Sequence, residues 1–319
     1  MTEIPFLDPR VFDPEAVDPE TAKFNKMIEK LLASMTPIHK KTPQEVREER
    51  ESGKSWLGPI KRLDEGQDRA VQGESGDVPI RVFVPDQVKG VYLHIHGGGF
   101  ALMRPYYFDE ALAETAKKCK VAVVSVDYRL APEDPYPAAA DDCETVAVWL
   151  AENAKSDFGS EKLIIGGESA GANLSVVTLI RMRDRHRFTG FSGANLVYGC
   201  YDTTMTPSQR NWGERNLILS TPILEWFNDH YVPMEKRNDP DVSPLYADLS
   251  NMPPALFTVG TLDPLLDDSL FMHARWVATG NESELAVYPG GIHVFNLFPI
   301  KIAREANNKA FDFISEAAT

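Results

Sequence analysis

Long apolar runs, a cysteine framework and a surplus of basic charge are all missing from this chain, and each absence removes a class of protein. No segment reaches the roughly 20 consecutive apolar residues of a membrane span. The opening residues, Met1-Thr-Glu-Ile-Pro-Phe-Leu-Asp-Pro9, have neither the basic start nor the apolar core of a secretion signal. Three cysteines, Cys119, Cys143 and Cys200, are spread over 319 residues. Their odd number and wide spacing argue against a disulfide scaffold, suit a reducing compartment, and mark them as small buried apolar side chains. Lys and Arg number 33 against 47 Asp and Glu, a formal net charge of -14. That charge repels phosphate backbones and anionic lipid surfaces, so nucleic acid is not an expected partner. Internal repeats, low-complexity tracts and Gly/Ser-rich linkers are absent as well. The expectation is a soluble, cytoplasmic protein whose oligomeric state is open, a homodimer included.

What is present is a hydrophobic content of 43% in a length that suits one large α/β domain with insertions. From about Asp68 onward, β-rich runs (80–84, 91–96, 121–126, 163–165, 194–198, 255–259 and 284–288) alternate with helical patterns (108–118, 138–153, 170–183, 267–278 and 301–317). Such alternation predicts a mostly parallel sheet with helical crossovers covering both faces. Two segments break the rhythm. Residues 1–56 space Phe24, Met27, Ile28, Leu31, Leu32 and Met35 along a helical stripe and then turn highly charged at Glu45 to Glu51. Residues from about 201 to 251 hold Trp212, Leu217, Leu219, Ile223, Leu224, Trp226, Phe227 and Tyr231, with Thr221-Pro222 as a helix start. Placed together above the sheet, the two would form a lid with its apolar side toward a ligand; each aromatic alone fits ordinary core packing equally well. The division expected is an N-terminal cap segment, 1–56, and a catalytic domain, 57–319, that carries the second cap insertion.

Chemistry enters at Leu163-Ile-Ile-Gly-Gly-Glu-Ser-Ala-Gly171, an apolar strand ending in G-x-S-x-G and followed by helix-forming sequence. A serine at a sharp strand-to-helix turn needs neighbours without bulk two residues either side, which Gly167 and Gly171 supply, so Ser169 is the expected nucleophile. Upstream, the strand Val91 to His96 runs straight into Gly97-Gly98-Gly99-Phe100. Acyl transfer develops negative charge on a carbonyl oxygen, and preset N–H donors there are worth roughly 3 to 4 kcal/mol apiece. Gly98, Gly99 and Ala170 are the expected donors, with His96, Gly97 and Glu168 in supporting positions. A serine hydroxyl needs a base, and His293, in Pro289-Gly-Gly-Ile-His-Val-Phe295 past the last strand, suits it; His39, His186, His230 and His273 fall in poorer places. His94 and His96 share a strand face, but no cysteine or carboxylate cluster accompanies them, so neither a metal nor a cofactor is expected. The base needs a carboxylate. Asp263, at the end of the strand 255–259, is preferred over Asp267, since Asp267 and Asp268 would favourably charge a helix's first turn. Val126-Asp-Tyr-Arg-Leu-Ala-Pro-Glu133 reads as an ion-paired loop bracing the site.

With HGGGF at 96–100, DYRLAPE at 127–133, GESAGANL at 167–174, DPLLDD at 263–268 and GIHVF at 291–295, the chain resembles the hormone-sensitive-lipase-like α/β-hydrolases, the bacterial family IV esterases and lipases. The similarity covers roughly residues 80 to 300. It implies an α/β-hydrolase core, a helical cap built from the N-terminus and the insertion after the sixth strand, and carboxylesterase activity with Ser169, Asp263 and His293 as triad. It also implies a small ester as substrate, with acyl chains short to medium. Members commonly read G-D-S-A-G-G where this chain has Glu168 and Ala172, a mild departure that touches subfamily and not the triad. A small-amide hydrolase is a close variant. The rival from another class is a small-ligand receptor such as the plant gibberellin receptors, which resemble these esterases but lack the histidine retained here at 293. A peptidase of this fold would need an extra large domain for which the chain has no room.

Overall fold

Among the described residues, 7–74 and 76–319, the computed structural model contains eight strands: β1 (Gln67–Gly73), β2 (Gly76–Phe83), β3 (Gly90–Ile95), β4 (Val121–Val126), β5 (Leu163–Glu168), β6 (Phe191–Val197), β7 (Ala255–Leu262) and β8 (Ser283–Ile292). They form one sheet in the order β1-β2-β4-β3-β5-β6-β7-β8, antiparallel through β1, β2 and β4 and parallel from there to β8. The arrangement is the mostly parallel sheet expected of an α/β-hydrolase core. The valine-rich β4 is buried at every position, as a strand covered on both faces must be. The edge strand β1 has one fully buried side chain, Val71, in an otherwise polar sequence.

Nine helices accompany the strands among the described residues: α1 (Pro19–Ala33), α2 (Pro43–Glu51), α3 (Asp109–Cys119), α4 (Ala138–Phe158), α5 (Ala170–His186), α6 (Pro207–Asn211), α7 (Thr221–Tyr231), α8 (Leu266–Ala278) and α9 (Lys301–Ala317). Helices α4, α5 and α8 pack on one face of the sheet, α3 and α9 on the other. Local chemistry sets the helix starts. The Asp18 carboxylate accepts from Thr21 N at 3.0 Å ahead of Pro19, and Thr42 and Glu45 form a reciprocal capping box before α2.

Several elements run past their expected bounds. Helix α4 continues to Phe158, where Gly159 in a left-handed conformation (φ 81°) ends it, and β8 carries on to Ile292, delivering the next residue directly to the sheet edge. The stripe expected before residue 36 is narrower than its spacing suggests. Ile28 and Leu32 are buried, whereas Met27 and Leu31 are exposed. Asn25 on the buried side donates to Gly290 O at 2.7 Å, tying α1 to the end of β8. The first six residues of the expected N-terminal segment lie outside the described residues.

Candidate active site

Strand β5 meets α5 at Ser169, whose backbone sits at φ 57° and ψ -119°, a conformation that non-glycine residues rarely hold and that costs on the order of 1–3 kcal/mol. Its neighbours make the turn possible. A Cβ on Gly167 would lie 2.1 Å, and one on Gly171 1.9 Å, from the carbonyl oxygen of Ile95, so both positions exclude any side chain. The turn is pinned by Ser169 N donating to Val197 O at 2.9 Å. The result is a serine hydroxyl standing at the C-terminal edge of the parallel strands.

Three loops converge on that hydroxyl. His293, delivered by β8, brings Nε2 within 3.1 Å of Ser169 Oγ and its Nδ1 within 2.8 Å of Asp263 Oδ2. With Asp263 accepting the Nδ1 proton, Nε2 is left as the acceptor for the serine O–H. Asp263 is buried, and its other oxygen accepts from Leu265 N at 2.9 Å, which fixes the carboxylate plane. Asp267 is elsewhere: its carboxylate accepts from Ser208 N at 2.8 Å, and Asp267 N donates to Ser208 Oγ at 3.1 Å. Tyr198, which nothing in the sequence singles out, packs edge-on against the His293 ring at 4.7 Å and donates to Asn296 Oδ1 at 2.6 Å.

The glycine run reaches the same spot from β3. Gly98 (φ 114°) and Gly99 (φ 60°) turn the chain back, with Gly98 O accepting from Leu102 N at 2.9 Å. The amides of Gly98, Gly99 and Ala170 have no backbone acceptor among the described residues, as expected for a turn and for the first residue of a helix. Gly97 packs on the Glu168 carbonyl, where a Cβ would come within 2.8 Å, so its role is close approach. His96 is buried, its Nδ1–H donating to Gly97 O at 2.7 Å and its ring stacked 4.2 Å from Tyr128. Burial pushes its pKa down to about 3, so it is a neutral brace. Tyr128 O–H in turn donates to His96 O at 2.9 Å.

Glu168, expected in a supporting position, is paired with a strand histidine. Its Oε2 accepts from His94 Nε2 at 3.0 Å, while Ser125 O–H lies 2.8 Å from His94 Nδ1. Both nitrogens of His94 are thereby committed within the chain. The loop 127–133 is braced as expected: Asp127 pairs with Arg104 at 2.9 Å, Arg129 with Asp142 at 2.8 Å, and Glu133 with Arg47 of α2. Asp268, expected only to charge the first turn of α8, does more. It is fully buried and accepts from Tyr201 N (2.7 Å), Asp202 N (3.1 Å), Thr206 Oγ1 (2.8 Å) and Gln209 Nε2 (2.6 Å), anchoring the segment that leads to α6. Burial raises its pKa to about 7. The acidic first turn already explains an aspartate at this place, which is why the sequence alone did not separate it from Asp267.

Above Ser169 lies a cavity of about 220 Å³ bordered by Ser169, His293 and Gly97 to Gly99 below, by Met35, Ile38 and Trp56 of the N-terminal segment, and by Ile218, Ile223 and Phe227 of the segment between β6 and β7. The lining is mainly apolar, which suits a small uncharged organic substrate. No helix among the described residues is long and apolar enough to cross a membrane.

Comparison with known proteins agrees with this fold. A family model described as "alpha/beta hydrolase fold" matches residues 92–297. The carboxylic ester hydrolase LipN of Mycobacterium tuberculosis is 33% identical over 244 residues, covering 73% of this chain and 65% of the relative. The carboxylesterase NlhH of the same organism is 33% identical over 258 residues, covering 76% and 79%. Among solved structures, the hyperthermophilic esterase of Pyrobaculum calidifontis superposes with a TM-score of 0.84 at 29% identity, over 95% of this chain and 99% of that one. The chain therefore belongs to the α/β-hydrolase fold family, in its hormone-sensitive-lipase-like group, and is a carboxylic ester hydrolase.

Proposed function

We propose that the protein hydrolyses short- to medium-chain carboxylic esters through an acyl-enzyme on Ser169. The observation that carries this reading is the unbroken chain Ser169 Oγ, His293 Nε2, His293 Nδ1, Asp263 Oδ2 at 3.1 and 2.8 Å. Ser169 Oγ attacks the ester carbonyl carbon and its proton passes to His293 Nε2, while Asp263 stabilises the imidazolium. The oxygen that becomes negative is held by the amides of Gly98, Gly99 and Ala170. Collapse of the tetrahedral intermediate breaks the acyl–oxygen bond, and His293 returns the proton to the departing alkoxide. Water then enters, gives its proton to His293 and attacks the acyl carbon. The second tetrahedral intermediate collapses, the bond from the acyl carbon to Ser169 Oγ breaks, His293 returns the proton to that oxygen, and the acid leaves. Fixed geometry of this kind supplies much of the rate, because the reacting groups are held before substrate arrives.

The chain-length reading is supported by the limited size and apolar lining of the cavity over Ser169. The segment up to residue 56 and the insertion at about 201–251 act in this reading as the two parts of a cap. Three free, buried cysteines suit a reducing cytoplasmic setting. Steady-state hydrolysis of p-nitrophenyl butyrate tests the nucleophile: Ser169→Ala is expected to lose about 10⁴-fold or more in kcat. A variant that keeps most of the activity overturns the mechanism. A series of p-nitrophenyl esters from acetate to palmitate tests the acyl length, with kcat/KM expected to peak among the shorter members.

A further inference from the structure

A second cavity, of about 380 Å³, lies on the opposite side of Glu168 from Ser169, between the sheet and helices α3 and α9. Phe108, Glu168 and Leu297 border both cavities. Its floor is polar. Tyr92 on β3, Asn195 on β6 and Thr258 on β7 are all at least nine-tenths buried and face it. Gly166, between Tyr92 and Asn195, leaves room for the tyrosine hydroxyl, since a Cβ there would lie 2.5 Å from it. Asn195 Nδ2 makes a long 3.4 Å contact to Tyr92 Oη, and that exhausts the pairing of this group. Asn195 Oδ1 is buried with no partner, and beyond the Asn195 contact neither the Tyr92 nor the Thr258 hydroxyl forms a hydrogen bond among the described residues. Buried polar groups in folded proteins find partners almost without exception, so Asn195 Oδ1 calls for one from whatever fills the cavity.

The charges say which occupant. Glu110, Glu114 and Glu168 line the cavity and no Lys or Arg does, which disfavours an anion. Each carboxylate already has a partner, Glu110 in Lys61, Glu114 in Lys118 at 2.8 Å and Glu168 in the ring N–H of His94 at 3.0 Å, so the groups left over are neutral. What is left open is one neutral donor, Tyr92 O–H, one neutral acceptor, Asn195 Oδ1, and the Thr258 hydroxyl, which is either. An alcohol hydroxyl accepts from the first and donates to the second. The walls offered to its body are the rings of Phe108, Phe298 and Phe311. From this juxtaposition we propose that the α3/α9 cavity is a binding site for a small uncharged alcohol, the class of molecule that ester hydrolysis releases on the far side of Glu168. The link to the released product rests on the esterase reading; the site itself does not.

The test separates the two. Ser169 is first labelled with an alkyl fluorophosphonate, which occupies the substrate cavity, and benzyl alcohol is then titrated by ligand-observed NMR. One saturable site per chain is expected, weakened about tenfold by Asn195→Leu and by Thr258→Val. Benzoate and benzylammonium are expected to bind at least about tenfold more weakly than the alcohol, because each brings a charge that the floor leaves unpaired. Absence of saturable binding to the labelled protein, meaning water only, overturns the proposal. So does equal affinity for benzoate, or an affinity unchanged in both variants while their circular dichroism matches wild type. If the probe leaves Ser169 unlabelled, the nucleophile reading fails instead, and the two variants, which lie outside the substrate cavity, still decide the alcohol site in unlabelled protein.

Discussion

The two faces of the sheet are cut from the same strands, but only one of them is packed throughout. Toward α4, α5 and α8, Leu93, Ile95, Ile165, Leu196 and Phe257 share one core cluster with Val146, Ala147 and Leu150, all with no accessible surface. Toward α3 and α9, an apolar cluster that includes Phe83, Leu112, Val121, Val123 and Ile164 gives way to the polar Tyr92, His94, Glu168, Asn195 and Thr258, which border the second cavity. Because successive side chains on a strand point to opposite faces, one short stretch of sequence serves both ends. The packed face fixes strand positions, and the polar face keeps hydrogen-bonding groups beside the residue that precedes the serine. The contrast teaches where rigidity and chemistry are separated in this fold: they lie a single peptide apart.

The sharpest way to break the contrast is at the rim, where both faces end in loops. Asp263→Asn is expected to cost about 10⁴-fold in kcat on p-nitrophenyl butyrate, since an amide cannot hold His293 in the tautomer that leaves Nε2 free to accept. Asp267→Asn, whose carboxylate engages Ser208, is expected to change kcat by no more than a few-fold. Equal losses in the two variants would reassign the acid.

Next in size is a pH effect that belongs to neither face. Asp268 has no cation paired with it among the described residues, and burial lifts it from an ordinary 3.8 to about 7, with the nearby Asp202 charge adding to the rise. A carboxyl group raised in the folded state holds its proton there after the unfolded chain has released it. Its contribution to stability is therefore complete below about pH 4 and is lost as pH climbs through about 7. Urea unfolding of wild type and Asp268→Asn across that window is expected to show the advantage of the aspartate falling by on the order of a few kcal/mol toward pH 8. Parallel pH profiles would show that Asp268 is ionised throughout. The neighbouring Gln209 Oε1, buried and without a partner, is the acceptor available to the protonated form once the amide turns over.

How much of this was legible beforehand follows the same division. Strand β4, valine at four of six positions, announces itself, and so do the glycines whose missing side chains the turn at Ser169 demands. The triad candidates were legible because G-x-S-x-G, a late histidine and a strand-end aspartate occur in one order. Strand β1 was not: with only Val71 fully buried, its sequence carries no period-two signal, and pairing with β2 alone makes it a strand. The polar floor was not legible either. Tyr92, Asn195 and Thr258 sit inside β-rich runs where a polar residue reads as the solvent side, and only the register across β3, β5, β6 and β7 brings them onto one buried face. Met27 and Leu31 erred the other way, apolar and helical in spacing yet exposed.

A like-for-like substitution sharpens the comparison of the faces. Ala147→Leu on α4 forces three carbons into a face with no room and is expected to destabilise by about 1–3 kcal/mol. Ala310→Leu on α9 projects into the second cavity and is expected to cost less than about 1 kcal/mol, by filling space rather than displacing neighbours. Midpoints of urea denaturation at constant slope measure both. Equal costs would mean that the α3/α9 side is as tightly packed as the other.

The smallest expected effect is the most discriminating. Thr258 and valine have nearly the same shape, so Thr258→Val leaves packing on β7 in place and removes only the hydroxyl. Had that hydroxyl been bonded inside the protein, its loss would strand a buried partner and cost about 1–3 kcal/mol. No such partner exists among the described residues, so the variant is expected to unfold within about 0.5 kcal/mol of wild type. A loss above 1 kcal/mol in the absence of any alcohol would show that Thr258 already serves the fold through an ordered water. A neutral result, joined to weaker binding of benzyl alcohol, would mean that the hydroxyl is held in reserve for a ligand and contributes nothing to the protein that carries it.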